Sequence, residues 1–258
     1  PRYVARRVLA ELDAMGYEAV MGLEYEFYVL ERDTYAPTFG GLHIFNNIRN
    51  VYVPVIDDLL SHMPAVGIDI ITANCEYGPS QFEVNYAPAK GLAAADAAYT
   101  FKNAAKEIAH NRGYVATFMT KPFSDQSACG CHIHVSLVEK GTGRNAFLDT
   151  SDPQGLSTVC RRFIRGQLDH ARAMMALMAP TVNCYHRFRP HTFAPSNISW
   201  GIEDRTAMVR AKNFFDHRTH IENRLPTGLG NPYLVVAACL AAGVLGLKKN
   251  ELPPEPVE

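Results

Sequence analysis

The sequence carries no surplus of charge of either sign. Lys and Arg total 25 against 26 for Asp and Glu, a net charge of -1. That excludes the basic face of a nucleic-acid binder and the polybasic patch of a membrane-surface protein. No apolar run approaches the ~20 residues needed to cross a bilayer. The longest, residues 235–247, is rich in Ala and Gly and reads as a packed helix. GxGxxG and the P-loop are both missing, so neither a dinucleotide fold nor a Walker site is indicated. The six cysteines are irregularly spaced in a chain of 258 residues, which argues against a disulfide framework. Cys129-Gly130-Cys131 lacks the spacer of a zinc knuckle, and no second Cys pair answers it. A reducing, cytoplasmic setting is the expectation. Internal repeats and linkers are absent too. The start, Pro1-Arg2-Tyr3, resembles neither a signal peptide nor a natural beginning, and reads as that of a fragment or of a chain cut to one domain.

What is present is an ordinary globular composition, 47% hydrophobic and 20% charged, enough for one large domain or two small ones. Apolar spacing predicts helices over 2–15, 51–63, 93–111, 155–178 and 231–247. Strands are expected around Glu24 and over 68–73, 81–86, 115–119, 131–137, 207–210 and 219–225. Residues 33–50 and 181–195 read as irregular, and the Pro-rich end as a loose tail. Hairpin-linked strands with helices grouped between them argue an α+β fold built on an antiparallel sheet.

The apolar strand Met21-Gly22-Leu23-Glu24-Tyr25-Glu26-Phe27 carries two carboxylates two residues apart, hence on one face. Buried together they repel, unless a cation or hydrogen bonds compensate. Taken alone, the pair also fits an edge strand with two solvated glutamates. Glu76 and Glu83 flank the Gly78-Pro79 turn, so a hairpin could bring both to one end of the sheet. His132-x-His134 shares a strand face, and Glu222 stands two residues before Arg224. The bland readings are a surface histidine pair and a surface ion pair worth little. Taken together, five carboxylates and an imidazole make a hard, oxygen-rich donor set that suits Mg²⁺ or Mn²⁺ better than zinc or iron. Two such ions are a common device for holding nucleotide phosphates. Arg187, Arg205, Arg210 and Arg224 lie beside these motifs, and guanidinium forks suit carboxylate and phosphate oxygens.

These motifs, in this order, resemble the catalytic domain of the glutamine synthetase family over nearly the whole chain. The matching segments begin with Gly22-Leu23-Glu24-Tyr25-Glu26-Phe27, Glu76-Tyr77-Gly78-Pro79-Ser80-Gln81-Phe82-Glu83 and Ala116-Thr117-Phe118-Met119-Thr120-Lys121-Pro122. They continue with Gly130-Cys131-His132-Ile133-His134-Val135-Ser136-Leu137, Asn183-Cys184-Tyr185-His186-Arg187 and Trp200-Gly201 with Asp204-Arg205. The last are Ile221-Glu222-Asn223-Arg224 and Asn231-Pro232-Tyr233-Leu234. The resemblance implies residues 1–258 as one catalytic domain, a curved antiparallel sheet flanked by helices, without the family's N-terminal β-grasp domain. It implies Glu26, Glu76 and Glu83 on one metal, and Glu24, His132 and Glu222 on a second that bridges the ATP phosphates. Arg187 and Arg224 would grip glutamate, Arg205 and Arg210 the transferring phosphoryl group and ATP, and His134 and Ser136 the nucleotide side. The implied chemistry is ATP-dependent formation of γ-glutamyl phosphate, then attack by an amine. The intact protein would form stacked hexameric rings.

Two departures set this chain apart. Ammonia-using members carry a glutamate after the Arg187 motif. Here the segment reads His191-Thr192-Phe193-Ala194-Pro195, and Phe193 stands where the acid would be. An aromatic ring cannot bind ammonium or take its proton, but it can pack against an apolar substituent. The expected acceptor is therefore an organic amine, aromatic or small alkyl. The alternatives are glutamine synthetase itself, using ammonia, and a non-catalytic relative that keeps only the fold. The second departure is His220, at a position that often holds an arginine for the nucleotide phosphates, with Arg218 nearby. Ser127-Ala128-Cys129 also replaces a segment that normally touches glutamate.

Overall fold

A computed structural model describes residues 1–40, 53–190 and 192–257. Most of the expected irregular stretch 33–50, the first two residues of the expected helix 51–63, and His191 lie outside the described residues. In chain order the elements are α1 (Arg2–Ala14), β1 (Tyr17–Glu31), α2 (Pro54–His62) with a 3₁₀ turn at Met63–Val66, β2 (Ile70–Cys75), β3 (Gln81–Tyr86) and β4 (Ala89–Lys90). Then come α3 (Leu92–Asn111), β5 (Tyr114–Thr117), β6 (Cys131–Glu139), α4 (Thr158–Asp169), α5 (Ala171–Met178) and α6 (Val182–Tyr185). β7 (Trp200–Ile202), β8 (Val209–Lys212), β9 (His220–Asn223) and α7 (Pro232–Lys249) complete the domain.

The strands form one open nine-stranded sheet in the order β2-β3-β1-β6-β9-β8-β7, with β4 and β5 also pairing with β1. The fold is α+β as expected, with one difference: the sheet is mixed, because β7 and β8 run parallel while the other pairs are antiparallel. The expected single helix 155–178 is two. Gly155, at φ 69°, cannot start a helix, Ser157 caps α4 by accepting from the Cys160 amide, and His170 at ψ 9° kinks the chain before α5. The expected loop 181–195 contains the short α6.

β1 shows why the site lies where it does. Its core face is Ala19, Met21, Leu23, Tyr25 and Phe27, all essentially inaccessible. Burying each of the large ones contributes about 1.5–3 kcal/mol. Tyr25 and Phe27 meet Phe101 of α3 and Phe118, with ring centroids 5.2 to 6.2 Å apart. Val20, Gly22, Glu24 and Glu26 fill the alternate positions and stay partly open on the opposite face. α7 is long and apolar enough to cross a membrane by length and composition, but 67% of it is buried inside the protein. Asn231 caps it through the amides of Tyr233 and Leu234.

Candidate active site

Strand register brings the functional side chains into rows on the open face. Glu26 pairs with Glu83, and Glu83 in turn with Asn74. Glu24 lies opposite His132. His134 lies opposite Glu222, and Glu222 opposite Arg210. Cross-strand neighbours share a face, so residues far apart in sequence converge.

A cleft of about 650 Å³ is lined by Glu24, Glu26, Glu76, Glu83, His132, Arg187, Phe193, Arg205 and Arg224. A second cavity of about 490 Å³, on the other side of Glu24, is lined by His134, Ser136, Lys212, Phe214, Arg218 and His220 among others. Glu24 belongs to both. Arg210 lines neither. It pairs instead with Glu203 and, at 3.3 Å, with Glu222.

The first carboxylate group is short of positive charge. The Gly130 amide donates to Glu26 Oε2 at 2.9 Å, and Gln81 Nε2 to the same oxygen at 3.3 Å. Asn85 Nδ2 donates to Glu83 at 2.8 Å, and Asn74 Nδ2 to Glu76 at 3.4 Å. These neutral donors do not balance the charge. Burial, then the Glu26 carboxylate, pushes Glu76 up to about 7. Burial, then Glu24, Glu26 and Glu76, pushes Glu83 up to about 10. Glu76 and Glu83, pushed to hold protons near neutrality and crowded against Glu26, fit a divalent ion, which would replace those protons.

The second group holds both histidines. His132 Nδ1 lies 3.1 Å from Glu24 and 3.3 Å from Glu222. Arg187 Nη2 lies 3.1 Å from His132 Nε2. A guanidinium only donates, so Nε2 accepts and the ring proton faces the two carboxylates. His134 tells more. His220 Nδ1 faces the Arg218 carbonyl at 2.5 Å, and so must donate. Burial, then His134, holds His220 down to about 4, so it is neutral and its Nε2 accepts from His134 Nδ1 at 3.1 Å. That leaves His134 Nε2 facing Glu24 Oε2 at 3.2 Å. Two acceptors so placed need a proton or a cation between them. Ligand atoms of Glu24, His134 and Glu222 all lie within 4.8 Å of one another. The donor set therefore fits a divalent ion, with His134 joining the expected Glu24, His132 and Glu222. Burial raises the Glu24 carboxyl, but hydrogen bonds from His132 and His134 outweigh it and hold the group well below its ordinary range. Burial likewise raises Glu222, but the neighbouring His132, His134 and Arg224 outweigh it and the group ends at about 2.

The arginines divide. Arg187 is buried and spends Nη1 on the carbonyls of Arg224 and Leu225. Arg224 pairs with Glu222 and donates to the Phe193 carbonyl at 3.0 Å. The buried Nε atoms of Arg210 and Arg224 have no partner among the described residues. Arg205 is exposed at the cleft wall. Phe193 is 62% exposed, and its ring stacks on Tyr77 with centroids 4.3 Å apart. On the other side, Phe214 stacks on His220 at 5.9 Å, and the Arg218 guanidinium lies 4.9 Å over Phe214. Arg218 itself is paired with Asp216. Sequence reasoning missed Gln81, Asn74, Asn85, Tyr77 and Phe214. Tyr77 and Gln81 lie inside a quoted motif, and alternation with Glu83 could have flagged Gln81 and Asn85. Nothing local marks Asn74 or Phe214.

A family model described as glutamine synthetase, catalytic domain, matches residues 1–258. A glutamine synthetase of Thermotoga maritima is 38% identical over all of this chain and 60% of its own length. A glutamate–isopropylamine ligase of a Pseudomonas species is 33% identical, over all of this chain and 58% of its own length. A gamma-glutamylethanolamide synthetase of Streptomyces coelicolor is 36% identical, over 99% of this chain and 56% of its own length. A solved GmaS/ADP complex superposes with a TM-score of 0.91 at 33% identity, covering all of this chain and 61% of that one. The chain thus spans about 60% of the length of the relatives it matches.

Proposed function

The chain belongs to the glutamine synthetase family, and from that premise we propose that residues 1–258 are the catalytic domain of an ATP-dependent glutamate–amine ligase. If the chain is an excerpt, the intact protein should form stacked hexameric rings, as the family does. The γ-carboxylate of glutamate attacks the terminal phosphorus of ATP, and ADP leaves. An organic amine then attacks the acyl carbon of γ-glutamyl phosphate, and phosphate leaves as the nitrogen loses its proton.

Glu26, Glu76 and Glu83 would hold one divalent cation, and Glu24, His132 and Glu222, with His134 as a further donor, would hold another. Bound Mg²⁺ or Mn²⁺ supplies charge neutralisation to the phosphates. The nucleotide occupies the 490 Å³ cavity past His134 and Ser136. Arg187 and Arg224 orient glutamate in the 650 Å³ cleft, and Arg205 meets the transferring phosphoryl group. Arg210, which pairs with Glu203 and Glu222 and lines neither cavity, would serve the nucleotide phosphates, a role that rests on the family resemblance alone. Such positioning and charge stabilisation are most of what phosphoryl transfer requires.

The amine reading is carried by one observation: the Phe193 ring, stacked on Tyr77, lines the cleft with the carboxylate groups. Two open aromatic faces favour a planar or apolar substituent on the nucleophile. An aromatic amine, neutral at pH 7, needs no carboxylate to strip a proton before attack. The names of the isopropylamine and ethanolamide relatives agree with an amine acceptor. The Thermotoga maritima relative favours the second reading, a glutamine synthetase using ammonia. Phosphate release with glutamate, ATP and a panel of amines separates the two. Several amines should exceed ammonia in kcat/KM, and ammonia exceeding every amine refutes the proposal.

A further inference from the structure

Lys102 of α3 reaches into the interior on the helix side of the sheet. Its ammonium donates to the Gly228 carbonyl at 2.7 Å and the Gly230 carbonyl at 3.3 Å. It also lies 5.5 Å from the Tyr25 ring centroid and 5.3 Å from that of Phe118. No carboxylate pairs with it among the described residues. Burial pushes it down to about 8. A buried cation without a counterion is costly, and its partners here are carbonyls and ring faces.

The turn it grips leads to the cleft. The Gly228 amide donates to the Cys129 carbonyl at 3.2 Å, Thr227 forms a bridge with Gly130, and the Cys131 amide donates to the Pro226 carbonyl at 3.0 Å. Gly228 sits close against the backbone after β5 and touches β1: a Cβ there would lie 2.8 Å from the Phe118 carbonyl oxygen and 3.5 Å from that of Glu26. Gly130 then grips Glu26 twice. Its amide donates to the carboxylate at 2.9 Å, and its carbonyl accepts from the Glu26 amide at 3.2 Å. A Cβ on Gly130 would fall 3.0 Å from both Arg187 Nη2 and His132 Nε2.

We propose that Lys102 is a positioning residue for the first cation site, holding the Gly228–Gly230 turn so that Gly130 fixes the Glu26 carboxylate. The proposal rests on the reading of Glu26 as a metal ligand. Mn²⁺ affinity of the folded protein, measured by calorimetry with thermal unfolding alongside, tests it. Lys102→Met should weaken Mn²⁺ binding at least 10-fold, and Lys102→Arg should restore it to within about 3-fold. Gly228→Ala, whose methyl would clash with the Phe118 carbonyl and shift the turn with Lys102 intact, should give the same loss. It stands in for Lys102→Met should that variant not fold. Lys102→Met or Gly228→Ala folded with unchanged affinity overturns the proposal. Glu26→Gln is the control. If it abolishes the site while Lys102→Met changes nothing, only the Lys102 role fails. If Glu26→Gln binds Mn²⁺ like the wild type, the metal reading fails, and the proposal with it.

Discussion

Replacing Glu83 by Gln should make the metal-free protein more stable and the metal-loaded protein useless. Glu76 is raised from 4.5 to about 7, and Glu83 from 4.5 to about 10. Above pH 4.5 the unfolded chain ionises both, while the folded chain keeps protons on them until pH passes those values. The folded state therefore binds more protons, and stability falls as pH rises. The windows run from 4.5 to about 7 for Glu76 and from 4.5 to about 10 for Glu83. Glu24 and Glu222 are depressed and act oppositely, but only as pH falls below the ordinary carboxylate range. His220, held down from 6.5 to about 4, also acts oppositely, and its effect is complete above pH 6.5. Each excess proton is worth about 1.4 kcal/mol per pH unit at full strength. Solvent in an open cleft screens this, so a loss of about 1 kcal/mol between pH 6.5 and 8 is expected, roughly 2–4 °C in Tm. Glu83→Gln keeps the bond from Asn85 and removes the proton that Glu83 must take up on folding, so in EDTA at pH 8 it should gain about 1 kcal/mol over the wild type. Saturating Mn²⁺ should reverse the order, since ligand binding stabilises only the protein that keeps its carboxylate. Thermal unfolding across pH, with EDTA and with Mn²⁺, gives all four values. A metal-free Tm that climbs from pH 6.5 to 8, or a Glu83→Gln variant less stable than the wild type in EDTA at pH 8, refutes the reasoning.

Phe193→Glu should raise the ratio of kcat/KM for ammonia over that for a bulky amine by about 10-fold or more, because it restores an acid and removes a stacking face. Competition assays measuring both products read this ratio, and an unchanged ratio removes Phe193 from acceptor choice. Glu222→Gln strips the carboxylate from Arg210, Arg224 and His132 at once, and should cost about 3–5 kcal/mol in urea unfolding along with all ligase activity. A loss below about 1 kcal/mol would mean that those cations are solvated rather than held by it.

The sequence was most legible along β1, where strict alternation separates Tyr25 and Phe27 from Glu24 and Glu26, so both faces can be read without coordinates. The His132-x-His134 pair was legible for the same reason. β7 and β4 were not, because three and two residues carry no measurable period. The parallel course of β7 beside β8 turns on Glu203, at φ 53°, which no propensity marks. The kink at His170 leaves the apolar spacing of α4 and α5 unbroken. Pairings such as Asn74 with Glu83, or Lys102 with Gly228, are set by register and packing across long stretches of chain, and leave no local trace.

Glu24 forms part of the wall of both chambers. Whatever loads one side changes the field felt on the other, and thermodynamic reciprocity requires the effect to run equally in both directions. On the proposed function, a single carboxylate would thus couple nucleotide affinity to acceptor-side affinity, and the order in which the two sides fill need not be imposed by any moving segment.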